Sequence, residues 1–276
     1  FGEGKHPEAI GQRGQDCWQE IWPMIGPQIE MVATTGAATW HEDALVPIFR
    51  NGRIEDVYWT YGYSPAFDDD GDIAGVLVVT SETTKGVLAT RRLKLAARVV
   101  ECTAAAASSG AVVDAALRCM ADLPVDIPLV CTFDKSARMS HSAGLSAADG
   151  EVLREAFADF LVRESLATRR LSRPISIEAT GDSVAEVFIA RLGIRRFLLF
   201  GLSSRLPFDD DYRTFLLQLV ETIHSAKDRA IAVATHLRSE VERRDLLMQA
   251  PVATALLFGP QHEFQLANPL YEEMVD

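Results

Sequence analysis

From Asp209 to Leu247 the chain contains neither glycine nor proline, and its apolar residues keep a strict spacing. Leu219, Ile223, Ala226, Ala230, Val233 and Leu237 follow one another at alternating steps of four and three, the spacing of a coiled-coil seam. Asp209, Asp210 and Asp211 stand at the start, where carboxylates favour a helix N-terminus. Past Leu237 the pattern breaks: Glu240 and Arg244 occupy the next seam positions, while Val241 and Met248 shift the stripe. A helix over 207–247 spans about 60 Å at 1.5 Å per residue. A solitary globule has no need of such a rod, so the pattern predicts a homodimer with those six residues as its seam.

The rest of the chain is ordinary for folded protein. Its 276 residues exceed what one core usually organises, which predicts two domains. Apolar residues make up 48% and charged residues 24%, excluding a disordered chain. A formal charge of −12 repels phosphate backbones, so nucleic acid is not expected as a partner. Cys17, Cys102, Cys119 and Cys131 form no CxxC pair and read as small buried hydrophobes in a reducing compartment. No apolar run approaches the roughly 20 residues that span a bilayer, and FGEGKHPEAIG has no leader pattern. The expectation is a cytoplasmic protein with no membrane partner. Phe1 and the closing NPLYEEMVD read as interior points of a longer polypeptide.

Five segments follow from the pattern. Residues 1–84 end in a β-meander: a strand from Thr39 to Arg50, a tight turn at Asn51-Gly52, a strand with Val57, Trp59, Tyr61 and Tyr63 on one face, an acidic turn, and IAGVLVVTSETT. Before it, Pro23 and Pro27 predict only short helical pieces. Residues 85–108 read as a helix with Leu88, Leu95, Val99, Cys102 and Ala106 inside and Arg91, Arg92, Lys94 and Arg98 outside. Residues 109–206 predict a helix, the strand PLVCTFD, a long helix from Gly150 to Arg170 capped near Ser146 and Asp149, and three strands, the last two a hairpin around Gly193. Residues 207–247 are the long helix. Residues 248–276 start a further unit, with VATALLF and EFQLAN as strands around Gly259-Pro260.

Two family resemblances attach to these segments. GKHPEAIGQ, WQEIWPMIGPQIEMV and TWHEDALVPIFRNGRIEDVYWTYGYSPAFDDDGDIAGVLVVTSETT resemble a PAS domain lacking its first two strands, of the type found in bacterial sensor histidine kinases. Residues 109–235 resemble a GAF domain, chiefly in FGLSSRLPFDDDYRTFLLQLVETIHSAKDRA, and QAPVATALLFGPQHEFQLANPLYEEMV is similar to the start of a second PAS domain. The resemblance implies an α+β fold: a PAS-like antiparallel sheet domain and a GAF-like α/β sandwich joined by long amphipathic helices. It further implies a sensory module of a two-component system, with kinase activity located beyond Asp276. Each antiparallel sheet, with helices against one face, would leave a concave apolar face for a small ligand.

His224 and His236 lie on the long helix but lack the acidic residue and arginine that follow a phosphoacceptor histidine. Cys17 keeps part of the photoreactive motif of flavin-binding PAS sensors, yet Trp18, Gln19 and Glu20 break the remainder. Cys131 and His141 lack a bilin pattern, and His6 and His41 lack a second haem ligand. Asp68 to Asp72 has no distal glutamate for Ca²⁺ and reads as a solvated turn. Trp59, Tyr61 and Tyr63 are the candidate ligand-lining residues, although a strand stripe of this kind also serves as core. No catalytic constellation or metal site is expected, and no cofactor is required. The alternatives are a chromophore-binding photoreceptor or redox sensor using Cys17, and a ligand-free dimerisation and docking module.

Overall fold

The computed structural model describes residues 8–142, 145–163, 168–178 and 180–275. It is a mixed α+β protein whose sheets are antiparallel. After the short α1 (Gly14–Cys17), α2 (Trp22–Thr35) runs unbroken through Pro27. Short interrupted pieces were expected there. Pro23 sits in the first turn, where its missing N–H has no partner to lose, and Pro27 removes a single bond one turn later. The Trp22 indole lies against Gly26, a space that any side chain would fill.

The first sheet has the order β1 (Thr39–Leu45), β4 (Tyr58–Phe67), β5 (Ile73–Glu82). The predicted single strand to Arg50 is divided: Val46 N–H bonds Val57 O, and beyond Pro47 the chain leaves the sheet as a separate hairpin, β2 (Ile48–Arg50) and β3 (Arg53–Glu55). Asn51 and Gly52 take φ of 53° and 76°, as the hairpin requires. Helix α2 covers one face through Ile29 and Val32, and the other face leaves Trp40, Leu77 and Val79 exposed.

Helix α3 (Thr84–Ala104) continues from β5 and turns back as α4 (Ser109–Ala121), capped by the Ser108 hydroxyl accepting from Ala111 N–H. The α3 stripe differs from the one expected. Leu88, Arg92, Leu95, Val99 and Thr103 are buried, whereas Cys102 is exposed. Arg92 falls on the inner face because the steps of four, three, four and four pass through it.

The second sheet runs β7 (Met139–Ser142), β6 (Leu129–Asp134), β10 (Arg196–Gly201), β9 (Asp182–Arg191), β8 (Thr168–Ile177). Helices cover both of its faces, not one. Val130, Phe188, Ala190, Leu198 and Phe200 pack with α3, α4 and α6 (Asp210–Met248). Their neighbours Cys131, Phe133, Val187, Ile189 and Leu199 pack with α5 (Ala147–Arg163). Alternate residues of one strand therefore belong to different cores, which is why the run from Phe197 to Gly201 is apolar throughout. Helix α5 starts where Ser146 Oγ accepts from Asp149 N–H, but β8 begins at Thr168, inside the stretch predicted as helix.

The last elements are β11 (Ala255–Phe258), β12 (Glu263–Ala267) and α7 (Pro269–Val275). Asn268 is fully buried and closes this unit: its Oδ1 accepts from Thr254 and Tyr271 N–H, and its Nδ2 donates to Val252 and Ala250 carbonyls. Among the described residues no helix is long and apolar enough to cross a membrane.

Gly62 is a point of close approach in the first sheet. A Cβ there would lie 2.8 Å from both Thr39 O and the Trp40 ring. Gly62→Ala is expected to destabilise the protein by about 1–3 kcal/mol, read as a lower midpoint of urea unfolding; an unchanged midpoint would show that β1 is free to move.

Candidate functional site at the joint between the sheets

Strand β4 presents Trp59, Tyr61 and Tyr63 toward α2, as their alternation predicts. Tyr61 and Tyr63 are buried with Val32 and Val46, and Trp59 packs at the edge of that cluster. Tyr61 Oη donates to Gln28 Oε1 at 3.2 Å, and its ring stacks on His41 at 4.8 Å. The Tyr63 hydroxyl is pushed up to about 12 by burial and then by Tyr61. On the same sheet, Trp59 Nε1, His41 Nε2 and Thr39 Oγ1 are shielded from solvent with no hydrogen-bond partner among the described residues. Buried polar atoms are nearly always paired, so this row is an unsatisfied hydrogen-bonding edge.

Tyr58, one residue before Trp59, points the opposite way. Its carbonyl accepts from Thr83 N–H at 2.8 Å, and its N–H donates to Thr84 Oγ1 at 2.9 Å, fastening β4 to the start of α3. Its hydroxyl accepts from Arg91 Nη1 at 3.0 Å. Arg91 then binds Asp126 in a fork, Nε to Oδ2 at 2.5 Å and Nη2 to Oδ1 at 3.1 Å. Arg92 reaches the same carboxylate at 3.4 Å, with its guanidinium 4.5 Å from the centre of the Tyr212 ring. The Tyr212 hydroxyl donates to the Asp126 carbonyl, and the Tyr212 N–H is capped by Asp209 at 2.8 Å. Asp126 is 1% exposed, so two cations in place of one neutralise a charge that water does not reach. Burial pulls the Arg91 guanidinium down, and the bonds to Asp126 outweigh it, leaving its pKa raised. Asp56 gives a second tie, accepting from Arg205 Nε at 2.7 Å while its N–H donates to Arg205 O. The joint thus gathers one strand, both major helices and the loop before α6.

The other expected residues are dispersed. Leu219, Ile223, Ala226 and Ala230 are buried in the core that α6 shares with α3 and α4 of its own chain, while Val233 and Leu237 are 54% and 60% exposed. Cys119 and Cys131 are buried, whereas Cys102 is exposed and Cys17 half-buried, so the reading of all four as core residues is corrected. His224 Nδ1 lies 3.0 Å from Asp228 on the α6 surface, and His236 is exposed. His6 and the side chain of His141 lie outside the described residues. The acidic turn closes on itself, with Asp68 Oδ1 accepting from Asp70 and Asp72 N–H. Among the described residues no group of three His, Cys, Asp or Glu is gathered for a metal ion. No protein-family model matches the chain, and no curated protein matches it.

Sequence reasoning missed the joint. Arg92 read as one of four surface cations, and Asp126 lies 34 residues away in sequence.

Removing Asp126 leaves two cations facing a dry interior. Asp126→Ala is expected to cost about 3–5 kcal/mol in urea unfolding, with part recovered in the Asp126→Ala/Arg92→Met pair; additive losses would show that the two are not coupled. Glu55 tests the β2–β3 hairpin. Burial pushes its carboxyl up, but donors from Arg50, Asn51 and Arg53 overcome this and hold its pKa below the usual 4.5. A lowered folded-state pKa stabilises fully above 4.5 and fades as the pH falls through the lower value. Glu55→Gln will therefore be less stable than wild type at neutral pH, with the gap closing in acid; a constant gap contradicts the pairing.

Proposed function

We propose that this chain is the sensory and regulatory part of a bacterial two-component signalling protein, with a PAS-like domain over 1–84 and a GAF-like domain over 109–206. It has no enzymatic role of its own here: a histidine kinase output beyond residue 276 carries the phosphoryl chemistry. The single observation behind the reading is the pair Tyr58 and Trp59. Trp59 offers an N–H that no described residue pairs, on the side of β4 that faces α2, while Tyr58 holds α3 and Arg91 on the other side. A small polar ligand that pairs Trp59 and His41 displaces β4, and Tyr58 passes that shift to Arg91, Asp126 and α6.

The homodimer rests on the far half of α6. From Ile231 to Leu246 every residue except Glu240 is exposed, and a helix of that length is marginal in water on its own. Val233, Leu237 and Val241, all more than half exposed, form the stripe that a second copy covers. The seam therefore begins after Ala230, where the chain's own helices stop covering it. The ligand-free docking module keeps one supporting observation, since Tyr61 and Tyr63 already fill the space under α2.

Analytical ultracentrifugation will find wild type as a dimer and the Val233→Glu/Leu237→Glu variant as a monomer. A monomeric wild type removes the transmission route. Native mass spectrometry with a metabolite thermal-shift screen separates the remaining readings: a retained or stabilising small molecule, lost in Trp59→Phe, supports the sensor. A screen with no response favours the docking module.

A further inference from the structure

Two thiols meet across the helical hairpin of α3 and α4. The register of that hairpin is set by Arg98 Nη2, which donates to Asp122 Oδ2 at 2.6 Å. Cys102 lies one turn beyond Arg98 on α3, and Cys119 lies one turn before Asp122 on α4. The helices run in opposite directions, so both steps lead the same way along their contact. They set the two side chains beside one another on the contact between α3 and α4. Their surroundings differ. Cys102 is exposed, whereas Cys119 is 3% exposed within the core that contains Val99 and Ala116. Burial and then the neighbouring Cys102 push the Cys119 thiol up to about 12, so it stays protonated while Cys102 meets solvent.

We propose that Cys102 and Cys119 are a reversible redox pair whose disulfide latches α3 to α4. The oxidant is a hydroperoxide. The Cys102 thiolate attacks its terminal oxygen, an S–O bond forms, the O–O bond breaks, and the departing alkoxide takes a proton to become an alcohol. Cys119 then attacks the Cys102 sulfur, an S–S bond forms, the S–O bond breaks, and the hydroxide that leaves takes the Cys119 proton as water. Two thiols and one hydroperoxide give one disulfide, one alcohol and one water, with two electrons passing from sulfur to oxygen. A dithiol reverses the step by exchange, as a reducing compartment requires. The latch lies on the helix that leads from the first sheet into the second core, so it fixes the C-terminal half of α3 against α4. Cys17 and Cys131 take no part: Cys131 is fully buried in the opposite core, against α5.

The test treats the whole chain with cumene hydroperoxide, blocks free thiols, and digests with trypsin and an aspartate-directed protease, which together separate Cys119 from Cys131. A peptide pair joining Cys102 to Cys119, released by dithiothreitol, is the expected result. It should be accompanied by slower amide hydrogen exchange over 99–121 and a higher urea midpoint, both absent in Cys102→Ser. Cys102 sits on the surface, so that variant keeps the fold, and its unoxidised urea midpoint will match wild type. The proposal is overturned if both thiols are alkylated after treatment, if Cys102 stops at a sulfinic acid, or if it links only to a cysteine of another copy.

Discussion

The fold turns on one buried negative charge. Asp126 is shut away from water and shared between Arg91 and Arg92, and the carbonyl of the same residue holds the Tyr212 hydroxyl. A carboxylate so placed persists only while its partners stay in position. That requirement fixes the rotation of α3, since adjacent residues on one helix must both turn toward it. It also fixes the start of α6, whose first buried ring lies beneath one of those cations. The apolar core of α3, α4 and α6 supplies most of the attraction, yet a greasy contact tolerates sliding that a forked ion pair does not.

This arrangement gives the two sheets different characters. The five-stranded sheet is packed on both faces, with stacked Phe133 and Phe157 on one and Phe188 and Phe200 on the other. The three-stranded sheet is covered on one face by a single helix and leaves Trp40, Leu77 and Val79 exposed on the other. Compliance is expected where packing is thin. The less committed sheet is also the one whose central strand is bonded directly to α3.

Much of this was legible in the residues. Period-two alternation located β4 and its aromatic face, Asn51-Gly52 announced a hairpin, and the stop-free run from Asp209 announced α6. What the spacing of Leu219, Ile223, Ala226 and Ala230 does not encode is whose surface covers them. The same four-three pattern serves a partner chain or the chain's own α3 and α4, and only the distant partner decides. Arg92 was opaque for a related reason: a charge reads as surface until its counter-ion is brought near by folding. Cys102 was misplaced by one position, because Thr103 fits the inner stripe equally well and hides its hydroxyl by donating to the Val99 carbonyl at 2.8 Å.

Asn268 extends the consequence past the end of α6. Its amide grips the Ala250 and Val252 carbonyls just after the helix stops, while its oxygen holds the opening strand and the closing helix of the terminal unit. That leaves almost no slack at the exit. Any rotation of the helix end therefore carries the terminal hairpin with it, as a key carries its shaft.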